Sequence, residues 1–321
     1  MWRYVIRRSI QAVGMLFVMS IVFFGLIHAI PGGPQTVFFN PRLPADVRLN
    51  LAHQLGIDQP LPIQYWNWLR AMLQGNFGTS FTDHQPVVSD IGARVPATLE
   101  LFLAAFSFAL LVAILLGVFS AVRQYSLTDY VVTVLAYFGI AMPVFFFGLV
   151  LQEIFAVKLG WFPDINQHAL DQTGFTPLEV LEDYALHLVL PVLMFSLLFI
   201  AVWSRYLRSS MLDVVKQDYI RTARAKGLST RTVFFRHALR NALIPLITQV
   251  AIDFGGIAAG AVITESIFAW AGLGQLFLSS LENRDYPTIM AMLLLITTAV
   301  IVANLIADIL YGVVDPRIRY S

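Results

Sequence analysis

Six apolar runs, each as long as a helix that crosses a bilayer, constrain this chain more than any other feature. They lie at 9–30, 98–122, 130–157, 185–203, 242–263 and 288–310. About 20 residues of α-helix span the ~30 Å hydrocarbon core of a membrane. Helix is the expected state, because lipid cannot satisfy exposed backbone groups and none of the runs alternates polar and apolar residues as a barrel strand does. Composition agrees: 58% of the 321 residues are hydrophobic and 13% are charged, against about 25% charged in soluble domains. A chain this apolar has too little polar surface to cover a soluble core. The sequence therefore reads as an all-α integral membrane protein with about six transmembrane helices.

Several classes of function drop out at once. A net charge of +1 exerts no general pull on nucleic acid, and the absence of cysteine removes disulfides, thiolate metal sites and cysteine nucleophiles. No His-x-x-x-His or related zinc pattern occurs, so no metal site is expected. There is no Gly-x-x-x-x-Gly-Lys-Ser/Thr phosphate loop, so the chain is not expected to bind ATP or to be an enzyme. The first apolar run follows Arg3, Arg7 and Arg8 as a signal peptide would. It is long enough to span, however, and Pro31-Gly32-Gly33-Pro34 is a poor cleavage site, so a retained helix is expected.

Most of the 21 cations fall on the side of the N-terminus, at Arg3, Arg7, Arg8, Arg123, Arg205, Arg208, Arg317, Arg319 and the basic stretch 216–240. The positive-inside rule then places both termini in the cytoplasm. Three regions follow: 1–30, a tail and first helix; 31–96, a long extracytoplasmic loop; and 97–321, a five-helix core. In the outer loop, two short helices near 45–55 and 63–73, with Tyr65, Trp66 and Trp68, suggest a cap at the interface. The loop 158–184 reads as a solvated connection, and 123–129 as a tight inner turn.

The longest inner loop, 204–241, is polar and ordered in pattern. A helix is expected from Ser210 to Lys226, stopped by Gly227, with Arg224 and Lys226 suiting the negative end of its dipole. Ser229 reads as the N-cap of a second helix, with Leu228 and Val233 spaced for a hydrophobic staple. Small residues at Thr222, Ala223 and Ala225 suit insertion into a partner's groove, the alternative being a basic loop held near anionic lipid.

Ionisable groups at membrane depth are costly unless paired or wet. Asp253, midway along the fifth run beside Gly255 and Gly256, either lines a hydrated path or pairs with a neighbouring helix. Glu153 and Asp308 lie near span ends as anchors, while His28 and His187 read as hydrogen-bonded fillers. Pro143, Pro191 and Pro245 are expected to interrupt hydrogen bonding within or at the start of three spans, either as hinges that expose carbonyls or as kinks that improve packing. Gly256 and Gly260 form a small-xxx-small spacing for close helix approach. The segment 264–283, with Phe268, Trp270, Gly272 and Gly274, is too polar to span and too apolar for a free loop, so it is expected to re-enter the membrane as an outer gate. The residues assigned to the path or gate are Asp253, Glu265, Phe268, Trp270 and Pro143.

The stretch Asp218-Tyr219-Ile220-Arg221-Thr222-Ala223-Arg224-Ala225-Lys226-Gly227-Leu228, followed by His237-Ala238-Leu239-Arg240-Asn241-Ala242-Leu243-Ile244-Pro245, resembles the coupling loop of ABC importer permeases. In the general family that loop reads Glu-Ala-Ala, three residues, Gly, nine residues, Ile-x-Leu-Pro. Here Arg221, Thr222, His237 and Arg240 depart from it in the manner of the dipeptide, oligopeptide and nickel branch. The resemblance runs nearly end to end, through Leu55-Gly56-Ile57-Asp58-Gln59-Pro60, Gly75-Asn76-Phe77-Gly78-Thr79-Ser80, Pro96-Ala97-Thr98-Leu99-Glu100, Ile263-Thr264-Glu265-Ser266-Ile267-Phe268, Arg284-Asp285-Tyr286-Pro287 and Asp315-Pro316-Arg317. Gly33 and Ala271 depart, where the branch usually has Asp and Pro.

The resemblance implies a type I ABC importer permease fold, the first permease of a pair, in a prokaryotic inner or plasma membrane. It implies a second homologous permease subunit, two ATPase subunits that bind ATP and magnesium, and an extracytoplasmic solute-binding protein. Coupling to the ATPases would fall on Asp218, Tyr219, Arg221, Thr222, Ala223, Arg224, Ala225, Lys226 and Gly227. The implied solute is a di- or oligopeptide, with nickel chelates or glutathione as alternatives. An ion-coupled secondary transporter is the rival class, and its inverted repeats are not evident.

Overall fold

Capping chemistry sets where the helices of this chain begin and end, and it cuts the apolar runs differently from hydropathy alone. The computed structural model describes the backbone of residues 2–30 and 59–314, and the side chains of 6–30, 59–253 and 262–306. Within them, helix α1 covers Trp2–Ala29, α2 Leu61–Leu73, α3 Val87–Val122 and α4 Leu127–Ala141. Helix α5, Val144–Leu151, continues as a π-helical turn over Gln152–Lys158, and α6 runs through Pro177–Val215. Then come α7, Asp218–Ala225, and α8, Thr230–Thr232, which passes through a π-helical segment, Val233–Ala238, into α9, Leu239–Ile267. Helices α10, Leu273–Asn283, and α11, Tyr286–Val314, complete the order. Among the described residues there is no β-strand beyond the isolated bridge between Thr79 and Pro86.

Helices α1, α3, α6 and α11 are each long and apolar enough to cross a membrane, and α4 with α5 makes a fifth span if that bent pair is one. Helix α9 covers the run 242–263 without a break, although the side chains of 254–261, Gly255, Gly256 and Gly260 among them, lie outside the described residues. So do the expected helix at 45–55, most of the stretch 55–60, the stretch 315–317 and the side chain of Asp308.

The three prolines act differently, and the bounds of three helices need correction. The run 130–157 breaks where Pro143 is expected to interrupt it: α4 and α5 meet at 107° around Met142 and Pro143. Proline has no N–H to continue the ladder, and it pushes the preceding residue out of helical geometry; Met142 is extended at ψ 126°. Pro191 and Pro245, by contrast, sit inside unbroken helices, because neighbouring packing tolerates one missing hydrogen bond. The helix expected over Ser210 to Lys226 is two, since α6 stops at Val215 and α7 starts at Asp218. Helices α3 and α6 also extend well beyond their apolar runs. Thr176 and Glu179 form a reciprocal capping box that starts α6 in polar sequence, which a hydropathy threshold does not register.

The chain forms two units. Among the described residues, the first comprises 96–275 with 302–314, and the second 2–30 and 59–95 with 276–301. The tail and first helix therefore group with the segment 59–95 and the start of α11. In the first unit, small residues of α3 (Ala109, Ala113, Ala121) pack with Trp203, Leu207 and Met211 of α6 and with Ile220 and Ala223 of α7. Gly117 is a point of close approach between α3 and α6: a Cβ there would lie 2.9 Å from both the Leu207 Cβ and the Ser204 carbonyl oxygen. In the second unit, Phe23 and Ile27 of α1 pack against Tyr286, Ile289, Met290 and Leu294 of α11, with Trp68 and Met72 of α2 alongside. The short helix expected near 63–73 is present as α2, and Tyr65 reaches Ser20 of α1 at 2.9 Å.

Candidate functional site

The loop 204–241 holds the candidate coupling surface. Helix α7 is only eight residues long, too short to persist by propensity alone. Packing fixes it: Ile220 and Ala223, three residues apart on one face, are buried against α3, α6 and the π-helical segment. The opposite face leaves Asp218, Tyr219, Arg221, Thr222, Arg224 and Ala225 exposed, followed by Lys226 and Gly227. Asp218 in the first turn and Arg224 in the last complement the helix dipole.

The stop is a Schellman turn. Gly227 N–H donates to the Arg224 carbonyl at 2.9 Å and Leu228 N–H to that of Ala223 at 3.4 Å. Gly227 has φ +77°, a left-handed conformation that costs a residue with a side chain about 1–2 kcal/mol. Ser229 then caps α8, accepting from Thr232 N–H at 3.3 Å. The result is a short rigid helix with one face sewn to the bundle and one face free. Ala223 belongs to the sewn face, so it supports the surface rather than entering a partner's groove.

Of the residues assigned to a path or gate, Asp253 sits in a half-buried pair and Glu265, Phe268 and Trp270 in a buried cluster of the first unit, while Pro143 is exposed. Asp253 accepts from the Trp203 indole N–H at 2.7 Å and the Gln249 amide at 2.9 Å, so pairing between α6 and α9, one of its two expected roles, is present. Glu265 is fully buried. Its carboxylate accepts from the Thr98 hydroxyl at 2.7 Å, Gly274 N–H at 2.6 Å and Gln275 N–H at 3.2 Å. The Trp270 indole donates to the Ala97 carbonyl at 2.8 Å, and Leu273 N–H donates to Thr98 Oγ1 at 2.7 Å.

This latch joins the turn after α9 to α3 across more than 160 residues of chain, and it gives the two glycines their reason. A Cβ on Gly272 would lie 2.4 Å from the Glu265 carboxylate, and one on Gly274 2.4 Å from the Val262 Cα. Phe268 is buried beside Leu151 and Met194. Its carbonyl accepts from Asn166 N–H at 2.8 Å, which straps the 159–176 loop to the same turn. Pro143 stands at the α4–α5 bend.

Two buried carboxylates escape the sequence reading. Asp129, at the start of α4, is clasped by Arg208 of α6 through two 2.7 Å hydrogen bonds, by the Ser120 hydroxyl and by Tyr125 N–H at 2.9 Å. In the second unit, Asp285 accepts from Ser80 Oγ at 2.6 Å, Thr288 Oγ1 at 2.8 Å and Phe81 N–H at 3.0 Å. The available signal is an acid at the edge of an apolar run, but no spacing rule links partners 79 or 205 residues apart. Of the remaining ionisable groups, His28 bonds the Phe24 carbonyl and His187 that of Asp183, each at 2.8 Å, and Glu153 pairs with Lys158 at 3.2 Å on the surface.

Comparison with known proteins gives this architecture a family. Residues 113–320 match the family model described as a binding-protein-dependent transport system inner membrane component, and residues 1–102 match the N-terminal model of such membrane components. An oligopeptide transport system permease protein of Bacillus subtilis is 44% identical over 318 residues, 99% of each chain. A di/tripeptide transport system permease protein of Pseudomonas aeruginosa is 40% identical over the whole of both chains. A glutathione transport system permease protein of Salmonella typhimurium is 37% identical, again over the full length of both. Matched from end to end and built of membrane-crossing helices, the chain belongs to the family of binding-protein-dependent transport system inner membrane components.

Proposed function

We propose that this chain is one of two permease subunits of an ATP-driven importer and forms half of a path for short peptides delivered by an extracytoplasmic binding protein. Its near full-length likeness to oligopeptide and di/tripeptide permeases carries the reading. Glutathione, the solute named for a third relative, is itself a small peptide-like molecule, so it narrows the chemistry rather than widening it.

In this reading the free face of α7 docks an ATPase subunit, with Asp218, Tyr219, Arg221, Thr222, Arg224, Ala225 and Lys226 in contact, Ala223 anchoring the helix and Gly227 ending it. ATP and magnesium are held by the two ATPases, and the termini and the 204–241 loop face the cytoplasm. A stiff element is what rigid-body coupling requires: closure of the ATPases displaces α7, and the attached bundle follows. The buried latch around Glu265, Phe268 and Trp270, the Asp253 pair and the Pro143 bend hold the outer mouth and the path in shape.

The test is uptake of labelled di- to pentapeptides by sealed vesicles carrying the permease pair, the ATPases and the binding protein. Uptake is expected to need ATP and the binding protein; uptake that persists without ATP and follows an ion gradient would replace this reading with the secondary-transporter class. Gly227→Pro, which can neither adopt φ +77° nor donate to Arg224, is expected to abolish uptake while leaving the chain inserted.

A further inference from the structure

At the α3–α4 turn lies a charge cluster, built on a buried carboxylate, that docking does not use. Ser120 and Asp129 are 1% and 3% exposed. The Asp129 carboxylate receives both arms of the Arg208 guanidinium at 2.7 Å, together with the Ser120 hydroxyl and Tyr125 N–H. The turn that presents Asp129 is itself constrained. Tyr125 is left-handed at φ +62°, and Ser126 caps α4 while donating to the Arg123 carbonyl at 2.5 Å. One turn earlier on α3, Gly117 brings that helix against Leu207 and Ser204 of α6. Two residues later on α6, Ser210 donates to the Ala242 carbonyl at the start of α9 at 3.1 Å. The cluster therefore joins the α3–α4 turn to the last turns of α6, and α6 leads after a two-residue break into α7.

Such a pair is not needed as a stabiliser. Burying the Asp129 carboxylate costs several kcal/mol in desolvation, which its partners offset, while the Arg208 side chain stays 25% exposed. What a bidentate guanidinium–carboxylate contact adds is a fixed geometry. The α3–α6 packing around Gly117 holds the helices together, but it does not itself fix the α4 side of the turn, which carries Asp129. The two parallel hydrogen bonds from Arg208 do not let that side shift without breaking both arms of the contact to the buried Asp129 carboxylate.

We infer that Asp129, held by Arg208, is a positioning residue for energy coupling: it makes the α3–α4 turn move as one body with α6 and α7, so that displacement of the coupling helix reaches the spans α3 and α4 undiminished. The inference rests on the transport reading above and deepens it by naming where the stroke is transmitted. Asp129 touches neither solute nor nucleotide in this scheme. Its loss uncouples rather than blocks: ATP is hydrolysed, α7 moves, and the α3–α4 turn lags.

Asp129→Asn keeps the size and hydrogen-bonding capacity of the side chain and removes its charge, and Arg208→Lys keeps the charge and removes the fork. In the assembled complex in vesicles, each variant is expected to co-purify with its ATPases in wild-type amounts yet import about tenfold less peptide per ATP hydrolysed, within the range typical of coupling effects. A purely structural role would lower the amount of complex and leave peptide per ATP unchanged, and that result would overturn the inference.

A second measurement does not depend on the solute. The chain contains no cysteine, so spin labels placed at Leu127→Cys and Leu228→Cys, both exposed sites, report the distance from the α3–α4 turn to the end of α7 with no background from this chain, in a complex whose other subunits are made cysteine-free. With wild-type Asp129 a single narrow distance is expected with and without ATP, and with Asp129→Asn a broadened one in the ATP-bound complex. Equal widths in the two would also overturn the inference. If the wild-type complex imports no peptide, the transport reading fails, and the label distances still decide the clamp.

Discussion

At the scale of single residues, the glycines separate what packing demands from what it merely prefers. Gly117 and Gly148 both lie in apolar helices and nothing in sequence distinguishes them. A Cβ on Gly117 meets the Ser204 carbonyl oxygen, which is main chain and cannot retreat, whereas a Cβ on Gly148 meets the sulfur of Met194 at 2.4 Å, the mobile part of a flexible side chain. Gly117→Ala is therefore expected to destabilise the protein by about 2 kcal/mol or more, within the usual range for overpacking, and Gly148→Ala by less than about 1 kcal/mol. Thermal unfolding of the two variants in detergent, compared at equal protein and lipid content, checks the order. Gly272 and Gly274 were legible as a pattern, but the reason for them, a carboxylate from nine residues away inserted against the turn, appears only when Glu265 is seen buried.

At the scale of elements, the sequence states helix existence well and helix continuity poorly. The Gly227 stop and the Ser229 cap are local chemistry, carried by residues within four positions of each other, and both stand in the structure where the sequence places them. The break between α6 and α7 is not local: α7 turns so that Ile220 and Ala223 can reach a core made by α3 and α6. The α4–α5 bend lies between these cases, since Pro143 permits a break while Pro191 and Pro245 show that proline does not compel one. Pro143→Ala restores the missing N–H and is expected to straighten the pair partly. Labels at Val131→Cys and Val157→Cys should then move apart, toward the about 39 Å that 26 residues of straight helix span. An unchanged distance would show that packing around α5, not the proline, sets the 107° angle.

At the scale of the whole molecule, each unit is closed by a buried carboxylate that ties distant chain segments together: Glu265 in the first, Asp285 in the second. Removing Asp285 leaves Ser80 Oγ, Thr288 Oγ1 and the Phe81 N–H without the acceptor they now share, and each unsatisfied buried donor costs about 1–3 kcal/mol. Asp285→Ala is expected to speed amide exchange at Phe81 and across 79–87 by at least tenfold, while exchange in α7 stays at its wild-type rate. The sequence by itself determined that the chain crosses a membrane in helices, that the loop 204–241 carries a glycine-stopped helix, and which family it joins, because span length, helix capping and motif spacing are all local or cumulative signals. Tertiary structure alone decided which face of α7 is free, that Glu265 and Trp270 are packed inward, and that Asp129 meets Arg208. A side chain's partner across 79, 167 or 205 residues is set by how the helices pack, and periodicity along the chain carries no record of it.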